Sequence, residues 1–182
     1  MADVNVSISK LFLPTHEGTE LSLDPNDKGN WTGGEVAVGV LKGSRYGISA
    51  ASYPSLDIPN LTEDEARSIY SRDYIPELYP QISAQAICNS LVDFGVTSGV
   101  RTAVIVLQRA IRDELAGPLA IDGVFGPETL EMTNASDADS LLRDFTKRRI
   151  KFYFALAVEL LEKKNPSAND YFSAWLERSL DW

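Results

Sequence analysis

Apolar residues recur at helical spacing over most of this chain, and the second quarter is the exception. Val4, Ile8, Leu11 and Phe12 predict a first helix running toward Gly18, with Pro14 kinking it or tightening its last turn. Residues 19–60 follow no such period and are rich in Gly, Asp, Asn and Pro. Within them, residues 35–41 alternate, with Val36, Val38 and Val40 on one face. This pattern predicts a strand pairing with residues 45–49 across Lys42-Gly43-Ser44 in a small hairpin.

Helical spacing returns at Thr62. Thr62 and Glu65 form a capping-box pattern ahead of Ala66, Ile69 and Tyr70. Ser83 is the expected cap of a second apolar helix through Ile87, Leu91 and Val92, ending near Gly95. Val104, Leu107 and Ile111 predict a helix over residues 100–115, and Gly126-Pro127 opens a short one with Pro at its favoured first position. Ser136 begins the longest, through Leu141, Phe145, Ile150, Phe154 and Leu161 to a stop before Pro166. A last helix carries Tyr171, Phe172, Trp175 and Leu176. The expected architecture is mainly α with a small β-hairpin lobe, and a cleft beside such a lobe suits a polymer.

A chain of 182 residues buries a core without disulfides or a structural metal. Seventeen basic against 26 acidic residues give a formal net charge of −9, and no dense basic stretch exists for nucleic acid. Cys88, the single cysteine, lies in an apolar run and reads as a small core residue. With one His and one Cys, a zinc amidase or a Cys–His peptidase is a poor fit, and no metal or cofactor is expected. The N-terminus shows no basic start followed by an apolar run, and no stretch approaches the roughly 18 apolar residues of a membrane span. The expectation is therefore cytoplasmic synthesis without a signal peptide, and no membrane insertion.

The strings with chemical content begin with His16-Glu17-Gly18 at the end of the first helix. Asp24-Pro25-Asn26-Asp27-Lys28-Gly29 and Tyr46-Gly47-Ile48-Ser49 follow. Glycoside hydrolysis needs a carboxylic acid to protonate the leaving oxygen, usually with a second carboxylate on the opposite face. A Glu against apolar neighbours at a helix end suits the acid. Taken singly, however, Glu17 is a solvated side chain and the Asp-rich string a turn.

The order of these strings resembles the N-acetylmuramidases of glycoside hydrolase family 108, a lysozyme-like group found in phage endolysins and bacterial secretion systems. The similarity continues through Leu61-Thr62 to Ala66, Ile69-Tyr70 to Tyr74, and Asp93 to Gly99. It extends through Leu107-Gln108, Asp122-Gly123 to Thr129, and the closing Phe172 to Arg178, and so covers nearly the whole chain. The resemblance implies an α+β lysozyme-like fold that cuts the β-1,4 bond between N-acetylmuramic acid and N-acetylglucosamine of bacterial peptidoglycan. It puts the acid at Glu17 and the second carboxylate at Asp27, with Asp24 next. Ser49, holding a water, is the alternative partner. Tyr46, Trp31, Asp24 and Asp93 are candidate substrate contacts, although Asp93 can equally anchor a helix turn. Residues 1–182 read as one such domain, whose C-terminal helical part, 100–182, includes a peptidoglycan-binding-like segment at about 100–134.

This chain departs from the family pattern at Thr19, Lys28 and Thr97, and in about a dozen residues, Trp31 to Lys42, inserted before the Tyr-Gly string. These departures keep a second reading open, a non-catalytic peptidoglycan-binding protein on the same scaffold. Without a signal, delivery to the wall would use a holin pore or a secretion system. The chain is expected to act as a monomer.

Overall fold

A computed structural model describes every residue except 14, 15, 18, 166, 167 and 182. The expectations for Pro14, Gly18 and Pro166 lie outside the described residues. The fold is mainly helical, as a lysozyme-like protein requires, and the one small sheet among the described residues is a two-stranded hairpin. The chain forms two compact units, Ile8–Asp73 and Met1–Ser7 with Tyr74–Trp182.

The first unit holds the second half of α1 (Val4–Leu11), the hairpin of β1 (Ser44–Arg45) and β2 (Ile48–Ser49), and nearly all of α2 (Glu63–Tyr74). The expected strand at 35–41 is not formed. Val36, Val38 and Val40 face solvent, the last 60% exposed, and the alternation marks a short excursion with no core to receive one face. Trp31 instead bridges Leu41, and the Thr32 amide donates to the Val40 carbonyl. The hairpin lies further along, with Ser44 opposite Ser49 and Arg45 opposite Ile48 around the two-residue turn Tyr46-Gly47.

Buried Asn30 organises the irregular loop. Its carbonyl accepts from the amides of Lys42 and Gly43, each at 3.0 Å, while its side chain donates to the Asp24 carbonyl at 3.1 Å. Helix α2 starts at the capping box expected for it. Glu65 Oε2 accepts from the Thr62 amide and hydroxyl at 2.9 and 2.8 Å, and these bonds hold its carboxyl below the usual glutamate range.

The second unit is built on α3 (Gln85–Ser98), α4 (Val100–Leu115), α5 (Pro127–Ala135), α6 (Ala138–Glu162) and α7 (Ala168–Leu180). Ser83 does not cap α3. Its amide is taken by Asn134 Oδ1 at 2.8 Å, and Ala84 occupies the cap position without a side-chain bond. Nor does α3 stop at Gly95; it runs one turn further, to Gly99, whose φ of 88° turns the chain into α4. Thr97 ties α3 to α6 through a 2.6 Å contact between its hydroxyl and that of Tyr153. Asp137, beside the expected Ser136, caps α6 by accepting from the Ser140 amide.

Candidate active site

Helix α1 ends at Leu11, and the chain doubles back at once. The Glu17 amide donates to the Leu11 carbonyl at 2.9 Å, one of the acceptors that a helix end leaves open. The half-buried Glu17 side chain then lies over the hairpin turn. A β-carbon on Gly47 would stand 2.6 Å from Glu17 Oε2, 2.7 Å from its Cγ and 2.5 Å from the Tyr70 hydroxyl. Glycine is required there twice, for that space and for its φ of 73°.

Tyr46, the other turn residue, also has a positive φ, 53°. Paired positive values are those of the mirror-image turn whose twist fits a two-residue hairpin, but a tyrosine adopts them at a cost. Several groups around the turn offset that cost. The Tyr70 hydroxyl donates to the Tyr46 carbonyl at 2.8 Å in a buried bond. The Phe12 ring lies 5.4 Å from that of Tyr46 and 5.8 Å from that of Tyr70, while the Arg45 guanidinium covers Tyr46 at 5.2 Å. Arg67, held by Glu63 and Ser9, covers Phe12 at 5.0 Å. Two strings separated by some thirty residues of loop, Glu17 and Tyr46-Gly47, thus meet at one point. Tyr70 completes that point, and the sequence displayed it as a position on the apolar face of α2 and in the string from Ile69 to Tyr74.

The remaining candidates are dispersed through the loop. Exposed Asp27 accepts from the Gly29 amide through Oδ1 at 2.8 Å, and Asp24 Oδ1 accepts from the Asn26 amide at 2.9 Å. Trp31 is half-buried, and its indole N–H donates to the Pro25 carbonyl at 2.9 Å, stapling the inserted segment to the Asp-rich turn. The Ser49 hydroxyl lies 3.1 Å from that of Ser52 and accepts from the Ser52 amide.

Burial removes two expected substrate contacts from reach. Tyr46 is only 9% exposed, and its ring is enclosed by Phe12 and Arg45. Asp93 is fully buried in the second unit. Arg149 bonds to one of its oxygens, and Arg178 to the other at 2.5 Å, so it anchors α3 to α6 and α7.

Comparison with known proteins gives this geometry its context. Residues 12–99 match the family model described as glycosyl hydrolase 108, and residues 102–180 match one described as a predicted peptidoglycan domain. The first match places a segment similar to glycosyl hydrolase 108 over just under half of the chain. Together the two matches support a glycoside hydrolase acting on peptidoglycan, and Glu17, Asp27 and Tyr46-Gly47 all fall inside the hydrolase match. A search of curated proteins finds no match. Among solved structures the hydrolase is similar to SagA of Brucella abortus, at 19% identity over 97% of this chain and 98% of that one. The TM-score of 0.58 makes this a likeness of fold. Among the described residues, no helix of the hydrolase is long and apolar enough to cross a membrane.

The second match contains the Leu-Gln and Asp-Gly strings, and in the hydrolase they serve one turn. Buried Gln108 donates through Nε2 to Asp122 Oδ1 at 2.9 Å, to the Val124 carbonyl at 3.1 Å and to the Thr129 hydroxyl at 3.2 Å. Its Oε1 accepts from the Gly123 amide at 2.9 Å. Asp122 also accepts from the Val124 amide, and bonding by Gln108 and then Val124 lowers its pKa.

Proposed function

We propose that this glycosyl hydrolase is a lysozyme-type N-acetylmuramidase, cutting the β-1,4 bond between N-acetylmuramic acid and N-acetylglucosamine with Glu17 as general acid. The observation that carries this reading is the seating of the Glu17 carboxylate over Gly47. Its backbone is tied to the end of α1, and the turn beneath it is braced by Phe12, Tyr46 and Tyr70. A general acid works best when its reach and orientation are fixed before substrate arrives. Glu17 would give its proton to the glycosidic oxygen as that oxygen's bond to the muramic-acid anomeric carbon breaks.

Asp27 is proposed as the second carboxylate. One of its oxygens is held by the Gly29 amide, which fixes the side chain while the residue stays exposed to water. Ser49 is the alternative holder of that water, and exposed Asp24 and half-buried Trp31 are proposed to meet the glycan. Oxygen from water ends on the anomeric carbon. Its configuration there, read by NMR during early turnover, separates direct attack from a covalent intermediate. The enzyme is proposed to act as a monomer that reaches the wall through a holin pore or a secretion system.

Mass spectrometry of digested peptidoglycan tests the bond: new reducing muramic-acid ends are expected. Glu17→Gln should retain the fold and lose at least about 100-fold in turnover, in line with the loss of a general acid. Turnover at the wild-type rate in that variant would remove Glu17 from the role. Sedimentation with the wall without any released sugar would favour a binding protein instead.

A further inference from the structure

We propose that Tyr70 is a positioning residue for Glu17, acting through the Tyr46-Gly47 turn; the proposal rests on the reading of Glu17 as the acid. Tyr70 is 1% exposed, and a buried phenol needs a partner for its hydroxyl. Its choice is telling. The hydroxyl donates at 2.8 Å to the carbonyl of Tyr46, the non-glycine residue of the turn with φ of 53°. A carbonyl can only accept, so the phenol is the donor in this bond. The same oxygen approaches within 2.5 Å of the point where a Gly47 β-carbon would stand, and Glu17 Oε2 approaches that point within 2.6 Å.

Three constraints thus converge on one small volume. The turn is strained, so its peptide would relax if released; the Tyr70 hydroxyl bonds its Tyr46 carbonyl; and the Glu17 carboxylate lies with that hydroxyl on the side toward which a Gly47 β-carbon would point. A rotation of the Tyr46-Gly47 peptide would lift or tilt the surface on which Glu17 lies. The Tyr70 ring is independently secured by Phe12 at 5.8 Å and by its place in α2, between the capped Thr62 end and Tyr74. The hydroxyl is therefore the part of Tyr70 that serves the site, and the ring is the part that serves the core. The two functions are separable in one substitution.

Tyr70→Phe removes the hydroxyl and retains the ring against Phe12, so a folded protein with a melting temperature within a few degrees of wild type is expected. With solubilised peptidoglycan strands, kcat should fall about 10- to 100-fold while KM changes less than about twofold, because glycan contacts persist and only the placement of the acid is relaxed. A residue of merely structural importance would lower the melting temperature and leave kcat of the folded enzyme unchanged. Glu17→Gln is assayed alongside. Wild-type kcat in Tyr70→Phe beside an inactive Glu17→Gln overturns the proposal alone, whereas full turnover in Glu17→Gln overturns the reading of Glu17 and the proposal with it. If Tyr70→Phe does not accumulate as folded protein, Tyr70→Trp serves as second variant. It fills the ring site without a donor at the hydroxyl position, and wild-type kcat there equally overturns the proposal.

Discussion

Glu17 and Gly47 fit one another as a side chain and the space left by a missing one: Glu17 Oε2 lies 2.6 Å from where the Gly47 β-carbon would be. The contact joins the end of the first helix to the only hairpin among the described residues.

Gly47→Ala is therefore expected to disturb activity more than stability. An alanine at a φ of 73° costs about 1–2 kcal/mol in backbone strain. The methyl would also displace the carboxylate by on the order of 1 Å, which costs roughly 100-fold in turnover. Thermal unfolding and kcat on solubilised peptidoglycan measure the two effects separately, and a drop in melting temperature with unaltered kcat would contradict the contact.

Asp93 lies between two buried guanidiniums, those of Arg149 and Arg178. Asp93→Asn keeps the volume but removes the buried negative charge that faces both guanidiniums, a loss of about 3–5 kcal/mol. Guanidinium denaturation should show that loss as a lower midpoint. Binding of folded protein to the wall should be unaffected, since Asp93 is inaccessible to any ligand.

Asp73 is held down from the ordinary 3.8 to about 2, first by its bond with Arg72 and then by the Tyr53 hydroxyl at 2.7 Å. A depressed folded-state pKa adds stability that is present above the unfolded value and lost as pH falls through the folded one. The corresponding window runs from about pH 4 down to 2, and exposure to solvent keeps the effect small. NMR titration of the Asp73 carboxyl should give a midpoint near 2, which moves upward in Tyr53→Phe.

Where local chemistry decides a feature, the sequence displayed it. Thr62 and Glu65 cap α2 because two short side chains three residues apart need nothing else, and Gly126-Pro127 starts α5 for the same local reason. Where partners come from far along the chain, it misled. Val36, Val38 and Val40 carry the period of a strand, but no apolar surface covers them. Ser83 has the chemistry of a cap, yet Asn134, fifty-one residues away, takes its amide. The candidate site divides in the same way. Glu17 was singled out by the order of the strings that follow it and not by its own place, whereas the enclosure of Tyr46 and the bond from Tyr70 to its carbonyl depend on packing that no spacing displays.

Gln108 changes what the Asp-Gly string can be taken to mean. Its amide reaches Asp122, Gly123, Val124 and Thr129, so the letters at these positions spell the requirements of a single hydrogen-bonded knot. A search keyed on that spelling will collect chains that share a fold of backbone, whatever they hold on their surface. Affinity for the wall has to be sought in the side chains that this knot leaves facing outward.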